Sequence, residues 1–210
     1  GFAKVAANES IVVAVAADTD DKPIENQIGI YDAQNVKHIR NEASPIKNIL
    51  VGICGRAGSE IIVTSNDLTV CARRGDDVQI VQISEDAEPR ILCSEDHLIV
   101  ALGSCIHVYE VMEDPILHES QSTFFLEGAT RDEGNAIGQD AKSMSFSHCK
   151  KHFVVGYDHQ INVYDFNPNS DSVLSLKMSI RETGPNIVTV ALSDRYVVAS
   201  CDQRKIHIWD

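Results

Sequence analysis

Residues 148–152, "HCKKH", place two histidines and a cysteine within five positions, the side-chain types that hold a tetrahedral zinc ion. Zinc needs four donors converging on one point. Here the stretch reads as a tight turn between strand-like segments, where side chains diverge, and no second cluster supplies the remaining ligands. Residues 55–59, "GRAGS", form a glycine-containing loop, but it lies between strands and opens no helix, so anion capture by a helix end is not expected. The chain has no G-x-S-x-G elbow, no phosphate-cradling glycine loop and no H-E-x-x-H pair. No catalytic residue, metal or cofactor is therefore expected. Six cysteines (Cys54, Cys71, Cys93, Cys105, Cys149, Cys201) sit far apart without a C-x-x-C pair, and read as free thiols of a reducing compartment, cytoplasm or nucleus.

With chemistry so sparse, the scaffold carries the argument. A chain of 210 residues that is 43% hydrophobic can bury a core, and short clusters of Val, Ile and Ala favour strands over helices. No apolar run approaches the roughly 18 residues that span a bilayer, and the first ten residues lack the basic start and apolar stretch of a secretory signal. A soluble, non-exported protein is expected. The net charge of −13 argues against nucleic acid as a main ligand, because phosphate binders carry a basic stripe.

A divergent repeat organises the sequence. "IGIYD" (28–32), "LTVCA" (68–72), "IHVYE" (106–110), "INVYD" (161–165) and "IHIWD" (206–210) begin 40, 38, 55 and 45 residues apart. Each alternates so that its first and third positions are expected to be buried on one face. A more continuously apolar run precedes each motif, as in "IVVAVAA" from Ile11 or "HFVVGY" from His152, and reads as a strand covered on both faces. Short turn segments separate run from motif around Asn66-Asp67, Gly103-Ser104, Asp158-His159 and Asp202-Gln203. With one strand before and one after, the unit is four strands repeated about every 40 residues, the pattern of β-propeller blades. The expected fold is an all-β propeller of four-stranded antiparallel blades, five of them visible, over residues 1–41, 46–84, 89–121, 141–181 and 186–210, the last lacking its fourth strand. Residues 122–140 are an inter-blade insertion.

"VVASCDQRKIHIWD" (197–210) resembles the second half of a WD repeat, and "VVGYDHQINVYD" (154–165) is similar, with Tyr164-Asp165 in place of Trp-Asp. No Gly-His dipeptide opens any repeat, and Trp209 is the single tryptophan. The resemblance implies that the turn residues Asp158 and Asp202 accept hydrogen bonds that lock a hairpin. It further implies a scaffold for protein–protein interaction within a multiprotein complex. Residues 90–121 also resemble a blade of the PROPPIN family, which implies phosphoinositide binding in autophagy or membrane trafficking as the alternative. That family's lipid motif is Phe-Arg-Arg-Gly or Leu-Arg-Arg-Gly. The Arg-Arg-Gly here, Arg73 to Gly75, follows Ala72 and does not match in position.

An unfinished fifth blade leads us to expect a piece of a larger, seven-bladed ring, or a ring completed by a partner's strand. Loops of one rim (17–27, 41–47, 84–90, 119–142 and 182–186) carry fourteen acidic and five basic residues, whereas Arg56, Arg73, Arg74, Lys150, Lys151 and Arg195 fall on the other. The expected partner contacts on the acidic rim are Asp18, Asp20, Asp21, Glu25, Glu85, Asp86, Glu88, Asp132 and Glu133, steering a basic partner segment, with Phe124 and Phe125 as an apolar anchor.

Overall fold

The computed structural model describes residues 2–16, 27–35, 37–43, 50–55, 59–65, 69–83, 89–102, 105–125, 141–170, 173–181 and 186–210. Nineteen strands and no helix form within them, so no described helix is long and apolar enough to cross a membrane. The strands make five antiparallel sheets, four of four strands and one of three. The first is β1 (Phe2–Ala7), β2 (Ile11–Ala16), β3 (Gln27–Asp32) and β4 (His38–Ala43), in that order. The second is β5 (Leu50–Cys54), β6 (Ile61–Ser65), β7 (Thr69–Arg74) and β8 (Asp77–Gln82). The third comprises β9 (Arg90–Cys93), β10 (His97–Leu102), β11 (Cys105–Val111) and β12 (Leu117–Phe125). The fourth comprises β13 (Ser143–Phe146), β14 (His152–Gly156), β15 (Gln160–Phe166) and β16 (Leu174–Arg181). The fifth is β17 (Ile187–Leu192), β18 (Val197–Cys201) and β19 (Ile206–Trp209). Strand β12 runs through Phe125, so residues 122–125 have strand backbone where the sequence suggested the start of an insertion.

Equivalent irregularities recur at equivalent places, which is stronger testimony to a repeat than sequence likeness. The β3–β4 ladder slips between Ile30 and Tyr31, and the β15–β16 ladder slips between Val163 and Tyr164, the same step of the motif. Likewise β1–β2 and β17–β18 both slip at the start of the first strand. Pairing also corrects the sequence alignment of the second motif. Val63 lies opposite Ala72, as Val154 lies opposite Val163, so Val70-Cys71-Ala72-Arg73-Arg74 occupies the motif positions that "LTVCA" was assigned.

The chain divides into two compact units, Gly1–Ile99 with Tyr109–Ser120, and Val100–Val108 with Gln121–Asp210. In the first, Val13, Ile28 and Ile30 of the first sheet pack against Ile62 of the second, with Ile11, Val51 and Ile53 around them. In the second unit, Val154, Ile161 and Val163 of the fourth sheet meet Ile187, Val190, Val197, Ala199 and Cys201 of the fifth. Phe153 stacks on Tyr164 at 5.0 Å between ring centres, and Phe146 and Phe166 close around it. The first and third motif positions are thus the ones that reach the following sheet. This explains a departure in the fifth motif, where Ile206 and Ile208 are 70% and 65% exposed although Ile161 and Val163 are buried. Among the described residues nothing lies against that face of the fifth sheet, so alternation there does not produce burial.

Candidate interaction surface

Between its first and second strands each sheet must reverse direction, and four of the five reversals use the same device. The side chain of Asn8 accepts from the N–H groups of Ser10 and Ile11 at 2.9 and 2.8 Å, while its own N–H donates to Ile11 O at 3.0 Å. Ser94 Oγ accepts from His97 N at 3.1 Å, Ser147 Oγ from His152 N at 3.3 Å, and Ser193 Oγ from Tyr196 N at 2.7 Å. In each case the cap's own N–H returns to the carbonyl of that same residue, at 2.8 to 2.9 Å. Asn and Ser suit this role because their short polar side chains satisfy backbone groups that a turn leaves unpaired. The exit of the third strand ties to the same turn, through Ala33 N to Ser10 O, Val111 N to Asp96 O and Phe166 N to Lys151 O, all 2.8 to 3.0 Å. In the second sheet Cys54 takes the cap position.

The frame is constant and the residues at its tips are not. Exposed there are Glu9 in the first sheet, Glu95 and Asp96 in the third, His148 to Lys151 in the fourth, and Asp194 and Arg195 in the fifth. The sequence carries a readable signal for these turns, an Asn or Ser closing the first strand ("NES", "SED", "SHC", "SDR"), distinct from the turn aspartates.

The acidic residue that ends the motif anchors local structure. Asp32 caps Gln34 N and Asn35 N at 2.9 and 2.8 Å. Asp165 lies 2.7 Å from His152 Nδ1 and 3.5 Å from Lys177 Nζ. Asp210 grips Arg195 through two bonds of 2.9 and 2.8 Å, and this guanidinium holds its carboxyl below the usual carboxylate range. Glu110 stands near His97, whose imidazole burial nevertheless holds below its ordinary pKa. Of the predicted turn aspartates, Asp158 pairs its carboxylate with Lys142 at 3.4 Å and its carbonyl with Ile187 N at 2.8 Å. Asp202 donates its N–H to Asn186 O at 3.0 Å.

Arg74 occupies the acid's place in the second sheet and does different work. Its guanidinium donates to Met112 O at 2.7 Å and Glu113 O at 3.2 Å, tying the second sheet to the third. Arg73 Nη1 meets Glu42 Oε2 at 3.3 Å, and Glu42 also takes Arg40 Nε at 2.6 Å. A groove of about 470 Å³ opens beside Arg74, with Glu95, Asp96, Glu113 and Asp114 around it. On the rim where the sequence placed Arg73 and Arg74, the described residues of this groove therefore carry four carboxylates against one guanidinium. Gln79 makes a further link, donating to Leu117 O at 2.9 Å and accepting from Leu117 N at 2.7 Å.

The solved structures that share this architecture decide what the sheets are. These are β-propeller blades. Over its whole length the chain is similar to Hsv2 of Kluyveromyces marxianus, at 13% identity and a TM-score of 0.52, and covers 72% of that chain. The whole chain also matches Raptor of Chaetomium thermophilum, at 13% identity and a TM-score of 0.69, over 20% of that protein, and Hsv2 of Kluyveromyces lactis, at 11% and 0.54, over 74%. No protein-family model and no curated protein sequence matches the chain. The likeness establishes the fold and leaves function to the surface.

Of the residues expected to contact a partner, Asp18, Asp20, Asp21, Glu25, Glu85, Asp86, Glu88, Asp132 and Glu133 lie outside the described residues, as do Arg56 and the turns at Asn66-Asp67 and Gly103-Ser104. Phe124 and Phe125 lie on β12, their side chains outside the description. Of "HCKKH", His148 to Lys151 form the exposed 1–2 turn of the fourth blade and His152 opens β14; Cys149 N donates to Asp194 Oδ1 of the fifth at 3.1 Å, and no group of three metal-binding side chains occurs among the described residues.

Proposed function

We propose that this chain is a non-catalytic, WD-repeat-like scaffold that mediates protein–protein interactions within a multiprotein complex, in the cytoplasm or nucleus. The observation that carries the reading is the repeated turn frame, which fixes backbone in four blades while leaving their exposed tips chemically different. A preordered surface of this kind lets a partner bind without first ordering the loops, so more of the contact energy appears as affinity. The partner chemistry it fits is a basic segment, since among the described residues four carboxylates, of Glu95, Asp96, Glu113 and Asp114, face one guanidinium, that of Arg74, around the groove. A strand donated by a partner could further add to the edge strand β19. The scaffold works without a cofactor.

Affinity purification tests this. The chain should co-purify with protein partners, and charge reversal at Glu95 and Asp96 should reduce recovery several-fold while circular dichroism shows the strand signal retained. Recovery as a lone species that turns over a metabolite would overturn it.

The likeness to Hsv2 favours a second reading, a phosphoinositide-binding propeller acting at membranes in autophagy or trafficking. Against it stands the engagement of Arg73 with Glu42 and of Arg74 with two carbonyls, which leaves the Arg-Arg-Gly stretch committed to blade contacts. Binding to phosphoinositide vesicles that disappears in Arg73→Ala/Arg74→Ala would restore the lipid reading.

A further inference from the structure

Two thiols stand on facing inner strands of the second and third blades, Cys54 on β5 and Cys93 on β9, both free. Their proximity follows from Gly52. A Cβ at Gly52 would fall 2.5 Å from Cys93 Sγ, so the Cys93 sulfur lies directly on β5 at that point. Residues two apart on a strand share a face, which puts the Cys54 side chain on the side of β5 where this sulfur rests. Cys54 Sγ reaches the same neighbour, donating to His97 O at 3.6 Å, and Gly55 N donates to Glu95 O at 2.8 Å. Both bonds tie the end of β5 to the turn that follows β9, next to the two sulfurs. The pair differs in access, for Cys54 is fully buried and Cys93 is partly exposed. The hydrogen bond with Cys93, and then burial, push the Cys54 thiol well above its ordinary pKa, so Cys54 is the poorer first nucleophile.

We propose that Cys54 and Cys93 are a redox pair that a small disulfide such as oxidised glutathione converts into an inter-blade disulfide. The Cys93 thiolate attacks one sulfur of the small disulfide and forms a mixed disulfide, and the first small thiolate leaves and takes up the proton that Cys93 lost. Cys54 then attacks the Cys93 sulfur. The Cys54–Cys93 bond forms, the mixed disulfide breaks, and the second small thiolate departs with the proton from Cys54. In sum, two protein thiols are oxidised and one small disulfide is reduced to two small thiols. The result ties two blades covalently across a loop of about 40 residues, a length at which a cross-link restricts the unfolded chain substantially. Excess small thiol reverses it.

The test uses the whole chain carrying Cys149→Ser, which removes the exposed thiol. After incubation with oxidised glutathione, alkylation and digestion, mass spectrometry should find the peptides of Cys54 and Cys93 joined and lighter by two hydrogens. The melting temperature should rise by about 5–10 °C and return on reduction. Adding Cys93→Ser should abolish the cross-link and leave Cys54 unmodified, whereas adding Cys54→Ser should leave Cys93 holding a stable glutathione adduct. If the folded chain instead yields free thiols, or separate adducts on Cys54 and Cys93, the proposal is wrong; circular dichroism of the same samples shows that they are folded.

Discussion

Gly156→Ala should destabilise the protein by about 1–2 kcal/mol, and the same change should stabilise it once Val190 has been shortened. A Cβ at Gly156 would lie 2.6 Å from Val190 Cγ1, 3.4 Å from its Cγ2 and 3.2 Å from Ile187 Cγ2. Carbon atoms prefer separations of about 3.5–4.0 Å, so β14 and β17 would have to part by most of an ångström. Val190 cannot turn aside easily, because a β-branched side chain has few χ1 choices and this one is buried. Overpacking of this kind costs roughly 1–3 kcal/mol. Replacing glycine narrows the unfolded ensemble and returns about 0.4–1 kcal/mol, which leaves the net loss stated.

Val190→Ala removes both γ-carbons and the 2.6 Å clash, and the space they vacate lets Ile187 Cγ2, at 3.2 Å, give way by the few tenths of an ångström it needs. It costs about 2 kcal/mol by itself, but in that background Gly156→Ala keeps only its favourable unfolded-state effect of about 0.4–1 kcal/mol. The cycle should therefore show a coupling of about 1.5–3 kcal/mol and a change of sign. Urea denaturation followed by fluorescence suits the measurement, since Trp209 is the only tryptophan and stacks on His207 at 5.6 Å within the fifth blade. If Gly156→Ala raises stability equally in both backgrounds, β14 and β17 are not in contact and the blade assignment of the second unit fails.

Two further perturbations probe the first unit. Gln79→Glu keeps an acceptor for Leu117 N but turns an oxygen toward Leu117 O in place of the donor, and should cost about 1–3 kcal/mol in chemical denaturation; a neutral result would show that the 2.9 Å contact is not formed. Stability should also fall as pH drops through 6.5, because burial lowers the His97 pKa in the folded state. The unfolded chain takes up a proton there that the folded chain resists, so this stability is complete above 6.5 and erodes toward the lowered pKa. Glu110 and Asp96 partly offset the effect, and urea midpoints in His97→Gln should lose that part of the slope; an unchanged slope would assign it to other groups.

Strand content and blade period were legible because both rest on local alternation, which a sequence displays directly. The alignment of the second motif was not. A slip of two residues preserves alternation, so Leu68 to Ala72 and Val70 to Arg74 fit the pattern equally, and only the partner across the ladder distinguishes them. Burial of Ile206 and Ile208 was misjudged for a related reason: alternation says which residues share a face, whereas burial depends on what packs against it. The Asn8, Ser94, Ser147 and Ser193 caps were within reach, since turn chemistry is local. Cys54 and Cys93 lie far apart in sequence and meet through packing of adjacent blades, which no spacing rule encodes. Carbonyl contacts of Arg74 are equally hidden, since they join residues that lie 38 and 39 positions apart in the sequence.

The placement of Arg74 also bears on what the surface can recruit. Arg74 keeps its charge and offsets one of the four carboxylates, which leaves the described charges around the groove net negative. Here its donors serve Met112 O and Glu113 O, which fixes the guanidinium toward the turn after β11 and holds Glu113 and Asp114 near Glu95 and Asp96. The cation that would have suited an anionic lipid instead organises an anionic groove. A lysine or arginine presented by a partner would meet preplaced carboxylates at a concave site, where charge focusing raises association rates and specificity more than affinity. Because these carboxylates remain close to solvent, screening at a Debye length of about 8 Å should weaken the encounter steeply as salt rises. An apolar docking mode would be indifferent to salt, so ionic-strength dependence separates recognition by this groove from strand addition at β19.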